Sequence, residues 1–265
     1  MIECRRAGEA MGSLFEVFLR GDDAEHLEAV ALAVLDEVRR LERLLSRYDP
    51  RSEISRINRE AWKGAVRVDG EVFALLERSE RGRRETGGCF DIAPGLELCF
   101  DAPRVGLSGV GVGIDPGGIG KGYALDVCGR ILRRFNIGSG LIHGGTSSIL
   151  AIGGDEWPID LRNPESVELP PVGRLWLRDG AFSCSAVVSS GSQESGIIDP
   201  LTGQRVVGTA ACYVLAPEAT EAEILSTGLL VMGRERAADF LSRYRAVDRR
   251  VGWYEPARGL CWILQ

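Results

Sequence analysis

Gly117-Gly118-Ile119-Gly120-Lys121-Gly122-Tyr123 runs straight into an apolar periodic segment, with Val127, Cys128, Ile131, Leu132 and Phe135 recurring at the spacing of one helix face. A glycine-rich turn that opens a helix gathers backbone N–H groups at the positive end of the helix dipole, a place suited to holding phosphate. Lys121 is not followed by Ser or Thr, as a P-loop requires, and the glycine spacing is not the GxGxxG of dinucleotide folds. By itself the turn is a weak indicator, and its meaning depends on its neighbours.

On the N-terminal side a short strand, Leu14 to Leu19, precedes a strong helix from about Ala24 to Leu45, with an apolar stripe of Leu27, Val30, Ala31, Val34, Val38, Leu41 and Leu45. Residues 46–58 read as polar and turn-rich. Val66 to Val68 is extended, and Val72 to about Arg84 is a helix ended by Gly87-Gly88. Cys89 to Pro116 reads as loops with short strands, including Val110 to Ile114. On the C-terminal side, strands are expected at Leu141-Ile142, Ser148 to Ile152, Trp157 to Leu161, Gly173 to Leu177, Ala181 to Cys184 and Ala210 to Leu215. Asn163 to Pro171 is a proline-rich loop, and Asp199-Pro200-Leu201-Thr202-Gly203 is a turn in which Pro presets one dihedral and Gly supplies another. Helices are expected from Thr220 to about Met232 and from Glu235 to Tyr244, before strands at Trp253 and at Cys261 to Leu264. Strands and helices without strict βαβ alternation predict an α+β fold.

The chain has 265 residues, 45% of them hydrophobic, enough for one sizeable core and a single domain spanning 1–265. A net charge of −6 argues against a nucleic-acid surface. The arginines alternate with acids, as in Glu37-Val38-Arg39-Arg40, and read as solvated helix faces. Seven cysteines with no CxxC pair, beside only His26 and His143, indicate neither a zinc cluster nor a disulfide framework. No run reaches the roughly 18–20 apolar residues of a membrane span. Met1 to Arg6 has no apolar segment of a signal peptide, so the chain as given is expected to be soluble and cytoplasmic. An exported or anchored form would require an upstream signal already removed.

Met11-Gly12-Ser13, residues 46–58, Thr86 to Asp91, Asp115 to Asp126 and Ile197 to Gly203, taken together, resemble the signature blocks of the ApbE family of FAD:protein FMN transferases. Met11-Gly12-Ser13 is similar to its opening Met-Gly-Thr, and residues 46–58, SRYDPRSEISRIN, to its long polar signature. Thr86-Gly87-Gly88-Cys89-Phe90-Asp91 resembles T-G-G-x-F-D, Asp115 to Asp126 resembles D-x-G-G-x-x-K-G-Y-x-x-D, and Ile197 to Gly203 resembles I-I-D-P-x-T-G. The resemblance implies a T-fold-related α+β architecture, with mixed sheets flanked by helices. It also implies a Mg²⁺-dependent reaction in which FAD is cleaved at its pyrophosphate and FMN is attached to a Ser or Thr hydroxyl of an acceptor protein. By the same carry-over, Met11, Tyr48, Cys89, Phe90, Asp91, Gly117, Tyr123 and Ser226 line the FAD site, and Glu223, Thr227 and the carbonyl of Gly120 hold the metal. Glu223 and Thr227, four residues apart on one helix, can present two oxygens to one side, a donor type that suits Mg²⁺. Lys121 places a positive charge near the phosphates.

Each assignment has a plainer alternative. Thr220-x-x-Glu223 is also a capping box. Thr227, Tyr48 and Phe90 can be core residues, Asp91 a turn residue and His143 a satisfied core or edge histidine, while His26 belongs on the surface. Departures from the family pattern gather at the chemistry. The histidine before I-I-D-P is Gly196, the metal-binding Asp is Glu223, G-G-D reads Gly144-Gly145-Thr146, and T-S-G reads Cys184-Ser185-Ala186. With that histidine gone, the acid–base candidates are Asp199, His143 and Lys121, with Glu194 a further substitute base. Three functions remain open: a working transferase, an impaired FAD-binding relative that hydrolyses FAD slowly to FMN and AMP, and an interaction protein that has lost flavin.

Overall fold

The computed structural model describes residues 1–166, 168–188, 196–243 and 248–264. Strands β1 (Ile2–Ala10) and β2 (Ser13–Gly21) lead into helix α1 (Ala24–Leu45), followed by α2 (Glu53–Glu60), β3 (Val66–Arg67) and α3 (Gly70–Glu85). Two short strands, β4 (Leu96–Cys99) and β5 (Arg104–Leu107), precede α4 (Gly120–Arg134). Then come β6 (Ser139–Gly144), β7 (Ser148–Gly153), β8 (Trp157–Leu161), β9 (Gly173–Leu177), β10 (Gly180–Val187) and β11 (Ala210–Ala216). Helices α5 (Ala219–Met232) and α6 (Arg234–Arg243) and strands β12 (Arg250–Glu255) and β13 (Gly259–Leu264) complete the chain.

Eight strands form one sheet in the order β1-β2-β6-β7-β10-β11-β12-β13, with small sheets β3-β5-β4 and β8-β9 beside it. All named pairings are antiparallel, so what is mixed in this α+β fold is helix with sheet, not strand direction. One face of the large sheet packs on α1, α4 and α5 through Val17, Leu150, Cys128, Leu225 and their neighbours. The other face packs on β8-β9 through Leu141, Ile149, Tyr213 and Trp157. β7 alternates between the two cores, which is why its Ile149-Leu150-Ala151-Ile152 run is apolar without a break. A third cluster joins the C-terminal turns of α1 to α2, α3 and the β3-β5-β4 sheet through Leu41, Ile57, Leu75 and Val105.

Helix α1 has the expected bounds because its apolar stripe is buried along its whole length and the Asp23 carboxylate caps its start, accepting from His26 N at 3.1 Å. Three readings need correction. The polar stretch 46–58 contains most of α2, which buries only Ile54 and Ile57 and is otherwise polar or charged, so its helical period is carried by two residues. Residues 110–114 form no strand; the strands of that region are β4 and β5. Strand β1 was not foreseen, because this charged edge strand buries only Cys4 and Ala10. The last helix is described to Arg243, and Tyr244 lies outside the described residues. Among the described residues no helix is long and apolar enough to cross a membrane.

Candidate active site

Two adjoining cavities open where α1, the segment from Thr86 to Gly118, the start of α4 and the ends of β7 and β10 meet. The larger, about 550 Å³, is walled by Cys89, Phe90 and Asp91 on one side and by Ser185, Glu223 and Thr227 on another. The smaller, about 400 Å³, is walled by Met11, Arg47, Tyr48 and Gly120. Asp115, Gly117 and Lys121 line both, so the glycine turn stands between two chambers of one cleft.

Local chemistry sets each wall. Thr86, buried at the end of α3, donates to Gly82 O at 2.8 Å and accepts from Phe90 N at 3.0 Å. Between them Gly87 and Gly88 turn the chain with φ of 61° and 85°. This accounts for the T-G-G-x-F spacing. Asp91 accepts from Ala93 N at 2.8 Å, and burial raises its pKa above the ordinary carboxylate value. Asp115 accepts from Gly117 N at 3.0 Å, holding the start of the glycine turn, and pairs with the Arg47 guanidinium. That guanidinium lies 5.2 Å from the centre of the Tyr48 ring, and Tyr48 is 83% exposed, an aromatic platform at the rim. Met11 and Gly12 form the two-residue hairpin between β1 and β2 with φ of 52° and 66°, the positive angles such loops require. The Met11 N–H donates to Glu42 at 2.6 Å.

Glu223 is 5% exposed and makes no local cap. One of its oxygens accepts from Gly122 N at 2.8 Å, 101 residues away in sequence. The other accepts from Ser148 Oγ at 2.5 Å and lies 3.9 Å from Lys121 Nζ. Burial raises its pKa; Lys121, Ser148 and Gly122 oppose that rise. The capping-box alternative therefore fails. The N-terminal N–H groups of α5 are met instead by Asp126 of α4, which accepts from Ala219 N at 2.8 Å, from Thr220 N at 2.9 Å and from the Thr220 hydroxyl. Thr227, one turn beyond Glu223, meets Ser185 Oγ at 3.0 Å, and Ser185 continues to Ser226 at 2.9 Å.

The structure thus brings Met11, Tyr48, Cys89, Phe90, Asp91, Gly117, Gly120, Lys121, Glu223 and Thr227 to one cleft. Ser226 is fully buried one layer behind it, hydrogen-bonded to Ser183 and Ser185. Tyr123 points elsewhere: its hydroxyl lies 3.5 Å from Glu71 O, and burial pushes its pKa up to about 12. His143 shares the face of β6 with Leu141, away from α4 and α5, and its ring meets Phe18 edge-on at 5.7 Å. Asp199 spends both carboxylate oxygens on its own turn, on Leu201 N at 2.9 Å and Thr202 Oγ at 3.0 Å. Neither His143 nor Asp199 lines the cleft, which leaves Lys121 as the acid–base candidate that does. Glu194 lies outside the described residues. Gly196 lines the larger cavity, and a Cβ built there meets nothing within 4 Å.

One contributor, Ser148, escaped the sequence reading: it is a lone polar residue opening an apolar strand, and that break in the pattern was the available cue. Asp126 and Ser185 stand in the quoted blocks, which gave neither of them a role. Among the described residues no three His, Cys, Asp or Glu side chains cluster as a metal site. The donor set fits a hard cation instead: one carboxylate and one hydroxyl on a single helix, with backbone of the glycine turn alongside.

A cleft that surrounds one space with a buried carboxylate, hydroxyls and a lysine belongs to an α+β enzyme. The family model of the ApbE family matches residues 11–99 and 95–249, and this chain belongs to the ApbE family. It is 27% identical over 93% of its length to the FAD:protein FMN transferase of Treponema pallidum, covering 83% of that protein. The Escherichia coli K12 protein of the same name is 23% identical over 89% of the chain and 80% of its own. The ApbE protein of Thermotoga maritima superposes with a TM-score of 0.87, at 21% identity over 98% of this chain and 96% of that one. The flavin transferase ApbE of Vibrio cholerae gives 0.80, at 20% identity over 98% and 96%.

Proposed function

We propose that this chain, acting as one domain, is an FAD:protein FMN transferase that uses Mg²⁺ and a Ser or Thr hydroxyl of an acceptor protein. The observation that carries this reading is the two-chambered cleft with Lys121 and the glycine turn at its waist. A dinucleotide has two flat ring systems joined by a diphosphate. The aromatic and apolar residues lie in the outer chambers, Tyr48 and Met11 in one and Phe90 in the other, while Lys121 and Gly117 of the glycine turn line both. Family membership and relatives bearing that name support the same reading.

In this reading the acceptor hydroxyl oxygen attacks the FMN phosphorus, the bond from that phosphorus to the bridging oxygen breaks, AMP leaves with that oxygen, and the hydroxyl proton is released to the departing phosphate or to water. Glu223, Thr227 and the Gly120 carbonyl would hold Mg²⁺, which would neutralise charge on the diphosphate and on the departing phosphate. Lys121, already 3.9 Å from Glu223, adds a second positive charge at the same place. Gly196 leaves this chain without the family's acid–base histidine, and loss of such help costs about 10²–10⁴-fold. The second reading, slow hydrolysis of FAD to FMN and AMP, rests on that opening at Gly196. Mass spectrometry of a candidate acceptor peptide incubated with FAD and Mg²⁺ separates them. A gain of one FMN supports the transferase; free FMN and AMP with an unmodified peptide supports the hydrolase.

A further inference from the structure

Helices α4 and α5 cap each other. Neither has a side-chain cap of its own: the residues before them, Ile119 and Glu218, make no such bond. The first N–H groups of any helix lack an intrahelical partner, and leaving them buried and unmet is costly. Here α5 lends Glu223 to Gly122 N of α4, and α4 lends Asp126 to Ala219 N, Thr220 N and the Thr220 hydroxyl of α5. The contact is close. A Cβ on Gly122 would lie 2.5 Å from Ala219 O and 2.9 Å from Thr220 N, so only glycine lets the two helix starts meet. The two caps are not alike, since Glu223 also faces the cleft whereas Asp126 does not line it.

We propose that Asp126 is a positioning residue for the cation site: by holding the first turn of α5 against α4 it sets where Glu223 and Thr227 stand relative to the glycine turn. This rests on the metal reading given above and adds to it a residue that touches neither metal nor substrate. Three acceptor contacts fix α5 both along its axis and about it. Glu223 and Thr227 lie one and two turns further along the same rigid helix, so a shift of the first turn is carried into the site. The pair's orientation is thereby set from α4, the helix that carries Gly120 and Lys121.

The test is calorimetric titration of Mg²⁺ into the FAD-loaded protein, with thermal melts of the same samples. Asp126→Asn keeps one oxygen acceptor but loses the Thr220 contacts; Thr220→Val removes a single hydroxyl contact and tests the role if the first variant folds poorly. Mg²⁺ affinity is expected to fall at least tenfold in Asp126→Asn and about threefold in Thr220→Val, with FAD affinity in the absence of metal changed less than twofold. Variants that melt earlier yet bind Mg²⁺ as the wild type does would show Asp126 to be structural only and overturn the proposal. Wild-type protein that takes up no divalent ion would instead overturn the metal reading itself.

Discussion

Gly122, wedged between the starts of α4 and α5, and Gly196, on the cleft wall, are both glycines whose surroundings demand opposite outcomes. At Gly122 a methyl group collides with backbone of α5, which cannot move aside as a flexible side chain would. Gly122→Ala is expected to destabilise the fold by about 3 kcal/mol, the upper part of the overpacking range, read from a denaturant midpoint at unchanged slope. At Gly196 a side chain meets open space and the backbone angle is not one reserved to glycine. Gly196→His is expected to melt within about 0.5 kcal/mol of wild type and to raise the rate of FMN transfer about tenfold or more in a single-turnover assay. An unchanged rate would show that this chain has replaced the histidine's function from another quarter. Thr227 sits between these cases. Its hydroxyl meets Ser185, which keeps Ser226 as a partner, so Thr227→Ala is expected to cost about 1 kcal/mol of stability but most of the Mg²⁺-dependent rate. A variant of full activity per folded molecule would contradict that.

Helix α2 shows how a short element governs a wall it does not line. Its cap, Ser52, is 2% exposed; the hydroxyl accepts from Ser55 N at 3.0 Å and donates to Ser46 O. Ser46 in turn accepts from Tyr48 N at 3.1 Å and Asp49 N at 3.0 Å. These bonds tie the start of α2 to the loop that carries Arg47 and Tyr48. Ser52→Ala is expected to cost about 1–2 kcal/mol and to raise the KM for FAD with little change in kcat, since it loosens a binding wall and leaves Glu223 and Thr227 alone. A fall in kcat at constant KM would place the loop in the chemistry instead. The polar signature of residues 46–58 thus has a physical content that periodicity alone hides. It is a chain of caps and turns, with Ile54 and Ile57 as its two apolar anchors.

Among the described residues, the carboxylates with shifted pKa values include two groups with opposite pH behaviour. Hydrogen bonds from arginines hold Glu37, Glu53 and Glu80 below the ordinary value. Their stabilisation is present above that value and is lost as pH falls through the lowered ones. Burial lifts Asp91, Asp126 and Glu223 above it. These three penalise the fold when ionised, and the penalty is relieved as pH falls through their raised values. Melting temperature is therefore expected to hold or rise slightly from neutral to mildly acidic pH, then drop once the arginine-paired group protonates. A monotonic fall from pH 7 would contradict this division. Saturating FAD with Mg²⁺ at about a hundred times its dissociation constant is expected to add about 2.7 kcal/mol, or roughly 5–10 °C. Calorimetric scans with and without ligand check both.

Local pattern was enough to establish a great deal. The stripe of α1, the doubly apolar β7, the turn at Asp199 and the glycine opening of α4 each carry their structure within a dozen residues, because side-chain period and turn chemistry are short-range. Motif blocks added the family, and with it most of the residues that line the cleft. What local pattern left open was which of two partners a residue would choose. By its spacing Glu223 is equally suited to cap its own helix; it bonds Gly122 and Ser148 instead, because Asp126, brought alongside by packing, already meets the Ala219 and Thr220 N–H groups of α5. His143 and Asp199 looked equally available as bases; packing puts His143 on the sheet face that meets Phe18, and Asp199 bonds within its own turn. Hydrogen-bond partners about a hundred residues apart are decided by burial in three dimensions, and no periodicity along the chain encodes that choice.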